Sequence, residues 1–99
     1  MKRITVDEVL AAYRVTGMKP CRGSALCEED KTCALGALCL RDTGSRSTVY
    51  DWAAEHFGDK YSAQFLAGFD YEPPGYKIRS IGFRDGQAAA AAVFAEPSP

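Results

Sequence analysis

Residues 33–41 read Cys33-Ala34-Leu35-Gly36-Ala37-Leu38-Cys39-Leu40-Arg41. Only Arg41 carries a charge, and the other eight positions are apolar or glycine on every side of a helical wheel. A surface helix needs one apolar stripe, whereas a helix that is apolar all round must be enclosed by other elements. Asp30 or Thr32 can cap its start, and Gly44 ends it. The stretch therefore predicts a short, buried second helix over 33–41 at the centre of the molecule.

The flanking sequence supplies the elements that would enclose it. Thr5-Val6-Asp7-Glu8 has the form of a capping box. Val6, Val9, Leu10 and Tyr13 follow at helical spacing, and Gly17 is a natural left-handed stop, so a first helix is predicted over 6–16. Residues 19–32 show no period and read as a loop. Ser47 or Thr48 caps a third helix over 49–57, closed by Gly58. Asp59 caps a fourth over 60–69, whose Tyr61, Phe65 and Phe69 stand four apart on one face. A last helix begins between Tyr76 and Ser80 and ends at Ala95. Strand signals are scarce. The expectation is a single compact all-α domain of four to five short helices over residues 1–95, with a flexible tail at 96–99. Helical glycines need a packing reason, so Gly68 and Gly82 are expected where the last two helices cross closely.

The order of these motifs resembles short bacterial proteins of unknown function. It comprises the capped first helix, Thr16-Gly17-Met18-Lys19-Pro20, a cysteine-bearing loop, Trp52-Ala53-Ala54, Gly68-Phe69-Asp70 and Gly82-Phe83-Arg84-Asp85-Gly86. The resemblance implies a small helical protein and assigns no catalytic residue or ligand.

Charge ranks several function classes down. The net charge is -1 over 99 residues. The third and fourth helices have the outline of a helix-turn-helix. Residues 49–75 nevertheless carry one lysine against five acids, so phosphate repulsion argues against nucleic acid. The longest apolar runs are too short to span a bilayer, so no membrane association is expected. Thr5, Asp7 and Glu8 interrupt the place where a secretory signal would be apolar, and the expected location is cytoplasmic.

All four cysteines, Cys21, Cys27, Cys33 and Cys39, fall at intervals of six. Within a helix, Cys33 and Cys39 stand about 9 Å apart along the axis and roughly 120° around it. They can neither form a disulfide nor share a zinc ion, which removes a four-cysteine zinc site. The other three lie where a loop can gather them. Reduced thiols, with Cys39 in the core, are the preferred reading for a cytoplasmic chain. A disulfide among Cys21, Cys27 and Cys33 is one alternative. Zinc held by Cys21, Cys27, Cys33 and His56 is another. A helix N-terminus would favour a Cys33 thiolate, although Glu28, Glu29 and Asp30 oppose it. His56, near a helix C-terminus, reads first as a charge favourable to the helix dipole.

No acid–base pair, nucleotide loop or strong metal motif assembles from spacing alone. The expectation is a small interaction or regulatory protein, without catalysis or cofactor. Its partner is expected to be a protein, or a second copy of the chain. Asp59, Tyr61, Asp70, Tyr71 and Tyr76 form the candidate partner surface, with an acidic rim around exposed tyrosines.

Overall fold

The computed structural model describes residues 2–22, 29–70 and 80–95. Its helices are α1 (Val6–Thr16), α2 (Ala34–Thr43), α3 (Val49–Phe57), α4 (Asp59–Asp70) and α5 (Ile81–Ala95). Two short strands, β1 (Lys19–Pro20) and β2 (Lys31–Thr32), lie between α1 and α2. The all-α expectation holds, and α2 is the buried helix. Leu35, Leu38 and Cys39 are fully enclosed, with Val9 from α1, Ala53 from α3 and Phe65 from α4 in the same core. Each buried leucine contributes about 1.5–3 kcal/mol of transfer free energy. The expected tail at 96–99 lies outside the described residues.

Local chemistry sets the helix ends. The Thr5 hydroxyl accepts from the Glu8 amide at 3.2 Å and donates to the Glu8 carboxylate at 3.2 Å. Gly17, at φ 72°, takes the left-handed conformation that stops α1, and its N–H donates to the Tyr13 carbonyl. α2 starts at Ala34, with Cys33 at the cap position making no side-chain capping bond. Neither Asp30 nor Thr32 caps it; Thr32 instead belongs to β2 and is fully buried. Thr48 caps α3 without a side-chain bond. Asp59 is the first residue of α4, and the Gly58 carbonyl accepts the Ser62 N–H at 3.0 Å.

The predicted loop over 19–32 contains the two strands. They run parallel, with Lys19 opposite Lys31 and Pro20 opposite Thr32. The Lys19 N–H donates to Asp30 at 2.7 Å and the Cys21 N–H to Thr32 at 3.1 Å. Pro20 falls between these two donors, where its missing N–H costs nothing. Two-residue strands leave no alternation to read, which is why the sequence hides them. Tyr13 donates its hydroxyl to the Thr32 carbonyl at 2.8 Å, anchoring β2 to α1. The Arg46 guanidinium donates to the Lys31 and Glu29 carbonyls at 2.8 and 3.2 Å, holding the strip from its other end.

The last two helices pack backbone to backbone. They run in the same direction: Tyr61 stands beside Asp85, Phe65 beside Gly86, and Phe69 beside Phe94. The close approach expected at Gly68 and Gly82 is present, but the two glycines do not meet each other. A Cβ on Gly68 would lie 2.0 Å from the Phe83 carbonyl oxygen, and one on Gly82 would lie 2.7 Å from the Gln64 Cβ. Gly86 belongs to the same contact, its hypothetical Cβ 2.1 Å from the Phe65 carbonyl oxygen. Backbone obstacles cannot rotate away as a flexible side chain can. Gly68→Ala and Gly86→Ala should therefore each destabilise by at least about 2 kcal/mol in urea titrations. Ala63→Gly, on the exposed face of α4, should cost only about 1 kcal/mol through helix propensity. Equal stability of Gly86→Ala and wild type would refute the close packing.

Candidate functional site

Residues near the N-terminus tie down the α4–α5 pair. Arg3 precedes α1 and donates to Asp85 through two nitrogens, Nε to Oδ2 at 3.0 Å and Nη2 to Oδ1 at 2.8 Å. Tyr61 donates its hydroxyl to the same Asp85 Oδ2 at 2.5 Å and accepts the buried Ile4 N–H at 2.8 Å. The Asp85 side chain is only 13% exposed. The Arg3 hydrogen bond and charge hold its carboxyl below the usual carboxylate range, against the effect of burial, and Asp85 raises Arg3 in return. Burial, and then the hydrogen bond to Asp85, push the Tyr61 hydroxyl up to about 12.

Beside this knot lies a groove of about 400 Å³ lined by Lys2, Arg3, Lys60, Tyr61, Gln64, Ile81 and Gly82. Among the described residues, its lining includes three cations and no carboxylate. Two of the cations have neighbouring acids: Lys2 approaches Glu8 at 3.3 Å, and Arg3 holds Asp85. Ile81, on the first turn of α5, is 54% exposed.

Of the candidate partner surface, Asp59, Tyr61 and Asp70 fall among the described residues. Tyr61 is 5% exposed, and its hydroxyl is turned into the knot while the residue also lines the groove. Asp59 is exposed at the start of α4 and Asp70 half-buried at its end. Eleven positions of helix place them about 16 Å apart along α4. Tyr71 and Tyr76 lie outside the described residues. Sequence reasoning missed Arg3, Lys60 and Ile81 because Arg3 and Asp85 are 82 positions apart and no local pattern joins them.

The zinc candidates take different positions. Cys21, just after β1, is disulfide-bonded, which overturns the preferred reading of four reduced thiols. Cys33 and Cys39 are free and buried. Cys27 lies outside the described residues. His56 is exposed in the last turn of α3, where Nδ1–H donates to the Trp52 carbonyl at 2.9 Å and the ring stands 4.7 Å from Trp52. A sulfur committed to a disulfide is not a thiolate ligand, so the zinc alternative belongs to the reduced chain. Among the described residues no three His, Cys, Asp or Glu side chains gather as a metal-ligand cluster.

Cys33 sits between opposing influences. Burial pushes its thiol up to about 11, while the backbone amides of Gly36 and Leu35 at the start of α2 favour the thiolate. Burial wins, so Cys33 is a protonated thiol in the resting fold. Cys39 is likewise raised by burial, and its thiol donates to the Ser45 carbonyl at 3.2 Å.

No family model, curated protein or solved structure matches this chain. Among the described residues no helix is long and apolar enough to cross a membrane.

Two measurements check the knot. Tyr61→Phe removes the acceptor of the buried Ile4 N–H and the donor to Asp85, and should cost about 2 kcal/mol in urea. Asp85 has its folded pKa depressed below the ordinary 3.8, so its contribution is complete above that value and is lost as pH falls through the folded pKa. The urea-midpoint gap between wild type and Asp85→Asn should be constant from about pH 7 to 5 and narrow below about pH 4. A gap that persists unchanged at about pH 2 would mean that the carboxylate contributes nothing.

Proposed function

We propose that this chain is a small interaction protein without catalytic activity, and that it docks a partner protein in the groove between the N-terminal segment, α4 and α5. The observation that supports the reading is the exposed Ile81 beside a lining with three cations and, among the described residues, no carboxylate. An apolar contact gives such a site affinity, and the surrounding charge selects the sign of the partner. The complementary occupant is an extended acidic peptide segment bearing one aliphatic or aromatic anchor. About 400 Å³ suits one or two side chains rather than the face of a helix. Lys2 and Arg3 are partly neutralised by Glu8 and Asp85, so Lys60 is the cation on which the selectivity should depend most.

A thiol-based role is the second reading. It is favoured by the disulfide at Cys21 together with the buried free thiol of Cys33. It also bears on the compartment. Stable disulfides suit oxidising surroundings, whereas cytoplasmic ones are usually transient and redox-active. The cytoplasmic reading and the disulfide are compatible if the bond is of the second kind.

Peptide display on the folded, purified chain tests the docking reading. Wild type should enrich peptides that combine Asp or Glu with one large apolar residue. Ile81→Asp and Lys60→Glu should each weaken a selected peptide at least about tenfold, roughly the 1.4 kcal/mol that a modest interface anchor supplies. Asp51→Lys, on the exposed face of α3, should leave binding unchanged. Failure to enrich such peptides, or binding indifferent to both groove substitutions, would rule the groove out.

A further inference from the structure

The parallel strip places two cysteines in register. Its pairs are Lys19 with Lys31 and Pro20 with Thr32, so the next position along the strip sets Cys21 against Cys33. The pairing reaches that far on the first strand, since the Cys21 N–H donates to the Thr32 carbonyl at 3.1 Å. It also reaches that far on the second, since Cys33 keeps an extended backbone at φ -72° and ψ 173° before α2 begins. Neighbouring strands stand about 4.8 Å apart, and paired residues project to the same face. That spacing lies inside the Cα range of about 4.4–6.8 Å that a disulfide spans. Yet in this structure Cys21 is bonded elsewhere and Cys33 is a free thiol.

We infer that Cys21 and Cys33 form a thiol–disulfide exchange site, in which Cys33 is the resolving thiol for the disulfide of Cys21. This inference rests on the thiol reading and is independent of the groove. In the exchange, the Cys33 thiol gives its proton to solvent base and the thiolate attacks the Cys21 sulfur. The Cys33–Cys21 bond forms as the bond from Cys21 to its present partner breaks. The departing sulfur leaves as a thiolate and takes a proton from solvent. One disulfide and one thiol exist before and after, so no external oxidant or reductant is required. The site uses both features of the strip: register sets the two cysteines side by side on neighbouring strands, and the amides at the start of α2 favour the attacking thiolate. Burial opposes that ionisation, which makes exchange slow at rest and dependent on a local opening. The product would cross-link Cys21, just after β1, to the start of α2 and release the former partner of Cys21 as a thiol. The chain would thus have two covalent states of equal oxidation level.

Tryptic mapping under non-reducing conditions tests this directly. Cleavage puts Cys21 in peptide 15–22, Cys27 in 23–31, and Cys33 with Cys39 in 32–41. A Cys39→Ser background makes the last peptide diagnostic of Cys33. Folded protein is incubated from about pH 7 to 9.5, quenched in acid and capped with maleimide. The expected result is a growing 15–22 to 32–41 linkage, with its initial rate rising about tenfold per pH unit as the thiolate fraction grows. The peptide that loses its link to 15–22 should gain the maleimide in equal amount. Cys27→Ser in the same background leaves Cys21 and Cys33 as the two cysteines. In a buffer containing oxidised glutathione, that disulfide should be reduced to two glutathione thiols as the variant loses two hydrogens and forms the 15–22 to 32–41 link. The inference is overturned if folded Cys33 remains unlinked across the pH series, or if Cys27→Ser accumulates glutathione on Cys21 instead. A failed peptide selection at the groove would leave both readouts untouched.

Discussion

The contact between α4 and α5 is the constraint on which the other features depend. Three glycines, Gly68, Gly82 and Gly86, let the two backbones approach to distances that no Cβ would permit. The approach is not an end in itself. It sets Tyr61 opposite Asp85, so that a hydroxyl from one helix and a carboxylate from the other share a bond of 2.5 Å. That pair then offers a charged acceptor to Arg3 and a neutral acceptor to the Ile4 amide. A loosened glycine contact would part the hydroxyl from the carboxylate and leave the N-terminal segment without its anchor. The groove would go with it, since its lining comes from the same three elements.

Burial has a different consequence at the knot and at the cysteine strip. At the knot, a carboxylate is nearly enclosed but keeps its charge because a guanidinium and a hydroxyl meet it. The net effect lowers its pKa. At the cysteine strip, the Cys33 sulfur has only backbone amides to favour its charge, and desolvation prevails. Both groups are enclosed. The presence of a full counter-charge decides which one ionises.

Much of the helical frame was legible in the sequence because helix ends are written locally. Thr5 with Glu8 and then Gly17 mark both ends of α1, and Gly58 marks the break between α3 and α4. The apolar run at 33–41 marks the centre. What the sequence hides is mostly non-local. The glycines at 68 and 82 announce a close contact, but their spacing does not say that Gly68 faces Phe83 and Gly82 faces Gln64. Tyr61 shares an i, i+4 stripe with Phe65 and Phe69. That pattern suits a core, yet the tyrosine hydroxyl and neighbouring acids invite a surface reading. Its burial follows from Asp85 and Ile4, neither of which is near it in sequence. The strands were lost for a simpler reason: two residues contain too little periodicity to distinguish from a loop.

The six-residue cysteine interval acquires meaning only through the strip. Along a helix, six residues separate Cys33 from Cys39 beyond reach, and the structure leaves both as buried thiols. Across the parallel pair, twelve residues bring Cys21 and Cys33 to one register. With a thiol pKa of about 11, the thiolate of Cys33 amounts to on the order of one part in ten thousand at pH 7. Close placement and low ionisation therefore act against each other. The resting pattern of one disulfide and two enclosed thiols can be maintained by the scarcity of thiolate even where the geometry permits another pairing. A change that hydrates the start of α2 would raise that thiolate fraction without adding any oxidant. This couples the covalent state of the strip to the packing of the helix that organises the core.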